Sequence, residues 1–271
     1  MLQYEFFRLA LAGLAIISVA SAVIGTYIIS RRLVALAGGV THACFGGLGL
    51  GYFLGVSPIA MAGVFAVFSS LGVEWLSRHL RVREDSAIAV IWAIGMAVGV
   101  LFVFLTPGYV PELNTFLFGN IMTVTVADVT AFAVYTAVLL GFFALRYRQI
   151  VAVAFDRDFA AVSGLPVRFI TVTMTVLVAV GIVLTIRLIG VMLLMSMLSL
   201  PMMIAEVWLH RIRPLMVAGA AVALTASVAG LFIAAGVDVP ASAIIVLLLT
   251  GTYIAVRLTH RPLARLFIKK P

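Results

Sequence analysis

One histidine lies near the centre of a predicted membrane helix and is the best candidate for chemistry in the sequence. His42 falls within residues 33–73, a stretch that contains no Asp, Glu, Lys or Arg. Because an ionisable side chain is costly to place inside a membrane, it marks a functional site unless a neighbouring helix satisfies it. Imidazole is also a common ligand of divalent transition metals. Two interpretations stay open: a hydrogen bond to a neighbouring helix, or a position on a pathway for such a metal.

Small residues surround this histidine at helical spacing. Gly39, Gly46 and Gly49 are three, four and seven residues from His42, so they share its face of a helix. A stripe of small residues allows either close helix packing or a pathway that runs beside the backbone. Cys44 points to a different face and is predicted to be a small packing residue. As the single cysteine, it excludes an intrachain disulfide.

A proline near the end of a methionine-rich segment is a second candidate. Pro201 removes one backbone hydrogen bond and crowds the preceding turn, so it predicts a kink in its helix. Ser196 and Ser199 either bond to the carbonyls that the kink frees or offer oxygen atoms to a pathway. The surrounding methionines are predicted to be packing residues.

The sequence offers little support for enzymatic chemistry. It has no GxxxxGK[ST] phosphate loop and no HExxH, GxSxG or CxxC motif. A transporter built from this chain must therefore use an ion gradient or a separate ATPase. Gradient coupling favours paired carboxylates within the membrane. The acidic residues closest to the predicted spans instead fall at or near helix ends, where solvent or lipid headgroups surround them. They are Glu74, Glu112, Asp128, Glu206 and Asp238.

The amino-acid composition shows what surrounds the helices that position these residues. Of 271 residues, 64% are hydrophobic and only 10% are charged, against about a quarter charged in a typical soluble domain. This composition excludes soluble globular and disordered chains and predicts a protein embedded in a lipid bilayer. The chain has a net charge of +8. In a membrane protein such an excess of basic residues usually marks the cytoplasmic loops, so it does not indicate nucleic-acid binding.

The uncharged stretches predict an all-α, polytopic transmembrane bundle of about nine spans. The 41-residue stretch 33–73 is too long for one span, and Gly55 to Pro58 divide it. An eight-span arrangement, in which a short segment near 188–206 is merged or half-buried, is the alternative. The nine predicted helices are 8–29, 33–54, 58–77, 87–107, 127–146, 168–186, 188–206, 214–236 and 240–260.

Basic residues predict the orientation of the bundle. They concentrate in alternate loops, and only Arg8 and Arg187 fall on the opposite side. Because short cytoplasmic loops are rich in Arg and Lys, we expect the N-terminus outside and the C-terminus in the cytoplasm. The outer loop 108–126 has no basic residue and is predicted to form a short helix against the bundle. The predicted cytoplasmic segments are 31–32, 78–85, 147–167, 207–213 and 257–271.

A short cytoplasmic helix is predicted between the fifth and sixth segments, at about 156–163. Asp156 is suited to cap its N-terminus, and Asp158 complements the helix dipole in the first turn. Gly164 is suited to end the helix in a left-handed conformation, and Pro166 prevents its continuation. A helix held between two membrane segments on this face is suited to dock a partner.

Four segments, in the same order and spacing, resemble the membrane permeases of zinc/manganese-type metal-ion ABC importers. The resemblance extends over nearly the whole chain. The segments are GGVTHACFGGLGLG at 38–51, FLFGNIMTVTVADV at 116–129, DRDFAAVSGLPVR at 156–168 and IGVMLLMSMLSLPMMIA at 189–205. The chain differs from the family at Gly38, where an Asp commonly precedes the histidine by four residues.

The resemblance implies a single transmembrane permease domain over 1–271 in the cell (inner) membrane, part of an ATP-driven importer. Its substrate would be a divalent transition-metal ion (zinc, manganese or iron), and the chain itself would bind no cofactor. The resemblance implies that the permease pairs with a second copy as a homodimer, or with another permease. The other implied partners are two cytoplasmic ATPase subunits and an extracytoplasmic metal-binding protein. ATP hydrolysis would take place in the separate ATPase, so this chain is not expected to be an enzyme.

The resemblance also assigns roles to residues. His42 is the expected metal residue. Coupling to the ATPase is expected from the segment around the short helix, with Phe159 and Val162 as apolar anchors beside Asp156, Asp158 and Gly164. The residues expected to line the pathway or kink its helix are Gly39, Gly46, Ser196, Ser199 and Pro201.

Other functions remain as alternatives. A permease of the same architecture for another substrate, such as a metal chelate, is the first. A secondary transporter or channel is the second, and the missing intramembrane carboxylate pair argues against it. A membrane scaffold without transport activity has no positive support in the sequence.

Overall fold

The computed structural model describes residues 3–108, 119 and 124–268, with side chains described up to residue 260. This part of the chain contains only helices and connecting loops, and the predicted outer helix within 108–126 falls mostly outside it. The helices are α1 Glu5–Ser30, α2 Val34–Leu54, α3 Pro58–His79, α4 Glu84–Leu105, α5 Val126–Leu145, α6 Tyr147–Phe155, α7 Arg157–Val162, α8 Val167–Ala205, α9 Ile212–Val237 and α10 Ala241–Ile268.

Eight of these helices are long and apolar enough to cross a membrane, which confirms the predicted polytopic α-helical class. The two exceptions are α6 and α7. Local signals explain several helix ends. Ser57 caps α3 and precedes a proline at its first position, which suits the unpaired N–H groups there. Thr125 and Asp128 form a reciprocal capping box at the start of α5.

The longest helix, α8, doubles back on itself at Gly190. This residue has φ 78° and ψ 170°, a backbone conformation open to almost no residue except glycine. A Cβ added at Gly181 would lie 2.8 Å from Cδ1 of Ile24, and one added at Gly25 would lie 3.2 Å from the carbonyl carbon of Leu198. Residues 181 and 198 therefore both contact the same turn of α1, at Ile24 and Gly25. In a straight helix they would be about 25 Å apart.

The reversal favours the eight-span alternative over nine full spans. The part before Gly190 is about 34 Å long and can cross the bilayer, but the part after it, 191–205, is only about 22 Å long. The boundary predicted between 186 and 188 lies close to this reversal, and the kink predicted at Pro201 stays a prediction. Pro201 lies inside the helix, and Gly190 is the single position of α8 with non-helical dihedral angles.

The loops predicted to be cytoplasmic lie together at one end of the bundle. Residues from 29–32, 154–155 and 206–215 line one cavity of about 550 Å³ there. The rings of Trp208 and His260 are 6.4 Å apart, so the far end of α10 is at the same end. We call this the basic end. The start of α5 is at the opposite end, where Asp128 pairs with Arg187.

Candidate functional site

His42 lies on α2 against α4, partly exposed at the surface of the single chain. Its ring stacks on the indole of Trp92, with ring centroids 4.6 Å apart and planes within 2° of parallel. The centroid of the Phe45 ring lies 6.4 Å from that of His42. Within the part of the chain that the structure describes, His42 has no hydrogen-bond partner, so the interpretation as an interhelical hydrogen bond gains no support.

The glycine stripe beside His42 forms a tightly packed seam between α2 and α4. A Cβ added at Gly46 would lie 3.0 Å from the carbonyl oxygen of Gly95. One added at Gly99 would lie 2.5 Å from the carbonyl oxygen of Phe45. The two backbones therefore approach each other as closely as glycine allows. We call this contact the glycine seam. It includes Gly39, Gly46 and Gly49 of α2 and Gly95 and Gly99 of α4.

The seam favours close helix packing, one of the two interpretations of the stripe. Because Gly39 and Gly46 face Ile88, Phe65 and Gly95, their backbones are covered by α3 and α4. These glycines pack helices together, and the predicted role in lining a pathway gains no support in the single chain. His42 is the member of the stripe that stays accessible.

Within the described residues, His42 does not belong to a group of metal-ligating side chains. Across the described residues, no three His, Cys, Asp or Glu side chains cluster as a metal site would require. At the position of the family Asp, a Cβ added to Gly38 would lie 2.9 Å from the methyl group of Met195. The end of a methionine is flexible, so this position has room for a small side chain if Met195 moves.

The two serines before Pro201 bond within their own helix. Ser196 donates to the Met192 carbonyl at 3.3 Å, and Ser199 donates to the Met195 carbonyl at 2.8 Å. Neither carbonyl is that of Met197, the one that Pro201 leaves free. The expectation that these hydroxyls satisfy the carbonyl freed by the proline is therefore wrong.

The short helix α7 lies where the sequence places it. The Asp156 carboxylate accepts the Phe159 N–H at 2.9 Å, and Gly164 follows the helix with φ 75°. The N–H of Leu165 donates to the Ala160 carbonyl at 3.0 Å, which closes the helix end. Ala160 is fully buried and anchors α7 to the bundle.

The outer side of α7 presents apolar residues at the basic end. Phe159 is 67% exposed and Val162 is 90% exposed. Large apolar side chains at this exposure, on a helix that is capped at both ends, are typical of a docking ridge. Phe155 at the end of α6, with 67% exposure, extends the same apolar surface.

A charged cluster behind α7 was missed by sequence reasoning. Glu74 accepts from Arg157 at 3.2 Å and from Arg78 at 2.6 Å. Glu84 accepts from Arg157 at 3.4 Å and from Arg31 at 3.3 Å. These five side chains, which we call the charge cluster, connect α1, α3, α4 and α7.

The charge cluster is partly removed from solvent, and two of its members are mostly buried. The side chains of Arg31 and Glu74 are 7% and 13% exposed. Burial lowers the pKa of Arg157, the Arg31 charge acts in the same direction, and Glu74 and Glu84 oppose both. Glu74 was expected to be solvated at a helix end. The spacing of Glu74 and Arg78, four residues apart on one helix, predicts an ion pair between them. It gives no indication that Arg157, which is distant in the sequence, also pairs with Glu74.

Comparisons with known proteins agree on one family. The model of the ABC 3 transport family matches residues 3–260. A Chlamydia pneumoniae protein named "Probable metal transport system membrane protein" is 35% identical over 244 residues, which cover 88% of this chain and 83% of that protein. The manganese transport system membrane protein MntC of Halalkalibacterium halodurans is 27% identical over 247 residues, 91% of this chain and 85% of its own length.

A solved structure has the same fold. PsaBC from Streptococcus pneumoniae in complex with Fab matches with a TM-score of 0.81 and 24% sequence identity. The match covers 93% of this chain and 91% of that one. The overall helix arrangement of this chain is therefore the same fold as that of a solved structure.

Proposed function

The chain belongs to the ABC 3 transport family, and we propose that it is the membrane-spanning permease subunit of an ATP-driven importer of divalent transition-metal ions. It forms the translocation pathway and does no covalent chemistry. Two copies of the permease pair in the membrane, two ATPase subunits bind the basic end, and an extracytoplasmic metal-binding protein delivers the ion. The metal is the substrate of the permease and not a resident cofactor.

The observation that best supports this function is α7. It is capped by Asp156, ended by Gly164 and exposes Phe159 and Val162 at the basic end. A permease needs a rigid projection there to receive the motion of an ATPase. In this proposal the basic end is cytoplasmic and α7 enters a groove of the ATPase, with Phe159 and Val162 as its apolar contacts.

We propose that the pathway passes the exposed face of His42. The ring is stacked on Trp92 and accessible at the surface of the single chain. Since no group of three or more His, Cys, Asp or Glu side chains forms a metal site among the described residues, a second permease copy, or water on the ion, supplies the remaining ligands. A site with few protein ligands suits passage, because a transported ion has to be released.

The test is metal uptake by variants of His42. Parent and variant permeases are reconstituted in proteoliposomes with their ATPase and metal-binding protein, and uptake of Mn²⁺ and Zn²⁺ is measured. We expect His42→Ala to reduce uptake at least tenfold while assembly with the ATPase is unchanged. His42→Asn keeps a polar side chain of similar size, so it should preserve packing on Trp92 but transport as poorly as the alanine variant.

The control is His79, an exposed histidine at the end of α3 whose ring bonds locally to the Trp75 carbonyl. His79→Ala should transport like the parent. If His42→Ala also transports normally, His42 is a packing residue and the pathway lies elsewhere. If Ala fails and Asn works, hydrogen bonding suffices. Gly38→Asp, one turn before His42, should alter the preference between the two metals.

A further inference from the structure

We propose that Arg157 is the positioning residue that connects the motion of α7 to the membrane helices, through its two-sided contact with Glu74 and Glu84. This inference rests on the proposed function, because it names the connection between the docking helix and the pathway. It assigns a mechanical role to a side chain that does not itself face the metal.

Arg157 bridges two membrane helices from the first position of α7. One terminal nitrogen, Nη2, contacts Glu74 on α3 at 3.2 Å, and the other, Nη1, contacts Glu84 on α4 at 3.4 Å. The side chain is 28% exposed, so solvent screens these contacts only in part. A displacement of α7 that preserves both contacts has to displace the ends of α3 and α4 with it.

The contact continues into the helix that reverses at Gly190. The Thr175 hydroxyl donates to the second oxygen of Glu74 at 3.2 Å. Thr175 lies on α8, in the arm that begins directly after α7 and ends at the reversal. Glu74 therefore joins α7 to the hairpin of α8 across space, in addition to the connection along the chain.

The number of charges indicates that the contacts can exchange. Three guanidinium groups, those of Arg31, Arg78 and Arg157, share the two carboxylates of Glu74 and Glu84. Both carboxylates therefore have a second arginine available when Arg157 moves. Nε of Arg157 is buried and has no partner among the described residues. A cluster with more donors than acceptors can hold α7 in more than one position without leaving a carboxylate unpaired.

Only arginine can make this bridge. Its planar fork carries two terminal nitrogens that contact separate carboxylates, whereas lysine is a single point charge. Arg157→Lys therefore keeps the charge and loses the bridge, and Arg157→Gln loses both. A purely structural role would reduce expression or assembly, but it would not change the amount of metal moved for each ATP hydrolysed.

The experiment measures that ratio in the complete transporter. Parent, Arg157→Gln and Arg157→Lys are reconstituted with the ATPase and metal-binding protein, and Mn²⁺ uptake and ATP hydrolysis are recorded in one preparation. We expect both variants to bind the ATPase and hydrolyse ATP while uptake per ATP falls at least fivefold. Arg83→Gln is the matched control, because its pair with Asp85 is at the surface, with side chains 85% and 68% exposed.

Glu84→Gln alone keeps the test decisive if Arg157→Gln assembles poorly: it should also lower uptake per ATP, and a parental ratio in this variant would overturn the inference. Glu84→Gln removes one side of the bridge and leaves Glu74 in place. If the two side chains act through one bridge, combining Glu84→Gln with Arg157→Gln should lower uptake per ATP no further than Arg157→Gln alone.

The outcomes separate this inference from the proposed function. A parent transporter that moves no Mn²⁺ or Zn²⁺ contradicts the proposed function. If the parent transports but Arg157→Gln or Arg157→Lys keeps the parental ratio, the bridge has no role in coupling. Strictly additive losses in the double variant would also overturn the inference, because the two side chains would then act independently.

Discussion

The glycine seam and the charge cluster join membrane helices in opposite ways. In the seam, α2 and α4 meet through backbone atoms, and nothing larger than hydrogen separates them at Gly99. In the cluster, long side chains such as Arg157 reach across the space between α3, α4 and α7. The seam holds the axes of α2 and α4 at one short distance. The cluster holds its helices through ion pairs, and these pairs can exchange partners.

This difference indicates which parts of the molecule can move against each other. Backbone contacts in an apolar seam lose about a quarter to a half of their dispersion energy when the gap widens by about 0.5–1 Å. We therefore expect α2 and α4 to move as one body that includes His42 and Trp92. Ion pairs at a helix end have broader energy minima and alternative partners, so α7 can change its position relative to α3 and α4.

The largest effect is expected from a substitution in the seam. In Gly99→Ala the new Cβ would lie 2.5 Å and 2.6 Å from the carbonyl oxygen and carbon of Phe45. Because these are backbone atoms, the helices must separate, at a cost of about 2 kcal/mol or more. Thermal unfolding in detergent should show a midpoint lowered by roughly 5 °C.

Gly141→Ala is the matched control for the seam. Gly141 lies within α5, and a Cβ added there would have no neighbouring atom within 4 Å. Since alanine favours helix over glycine by up to about 1 kcal/mol, its midpoint should stay the same or rise. Equal destabilisation by both substitutions would contradict the distinct role of the seam.

The sequence predicts the seam and the short helix because both depend on local spacing. Gly39, Gly46 and Gly49 repeat at intervals that place them on one helix face, and such stripes favour close packing. In α7, the cap at Asp156 and the end at Gly164 lie within one short segment. Nothing distant in the chain is needed to form either feature.

The charge cluster and the reversal escape prediction for physical reasons. Arg157 is 83 residues from Glu74 along the chain, so only the packed bundle brings them together. Gly190 is an isolated glycine in an apolar run, where glycine is equally compatible with a straight helix. Its partner Gly119, with φ 60°, packs against the backbone of Ile189 and comes from another part of the chain. The sequence predicts a helix boundary at Arg187 and a kink at Pro201, but neither signal indicates that the chain reverses at Gly190.

A smaller effect on stability, with a clear functional effect, is expected at Gly164. Its φ of 75° is costly for other residues, although no atom lies within 4 Å of an added Cβ. Gly164→Val should therefore cost only about 1–2 kcal/mol, as local strain at the end of α7. The fold should persist while uptake per ATP falls. Asparagine tolerates the left-handed conformation, so a poorly coupled Gly164→Asn would show that something other than backbone conformation matters here.

The smallest effect is expected from the ion pair at the end opposite the charge cluster. Arg187 Nε contacts Asp128 at 2.6 Å, but the Arg187 side chain is 46% exposed and has no second carboxylate among the described residues. Asp128 is also held by the capping box with Thr125. Arg187→Gln removes the pair and keeps the cap, so it should cost less than about 1 kcal/mol.

Uptake per ATP in Arg187→Gln should stay within twofold of the parent, in contrast to Arg157→Gln. Thr125→Ala removes the cap and should cost about 1 kcal/mol, more than loss of the pair. Thermal midpoints at low and high salt distinguish the two, because salt screens the exposed pair and leaves the cap largely unaffected. If Arg187→Gln uncouples uptake as strongly as Arg157→Gln, then both ends of the bundle transmit motion, and the distinction between a movable charge cluster and a passive pair at the opposite end is wrong.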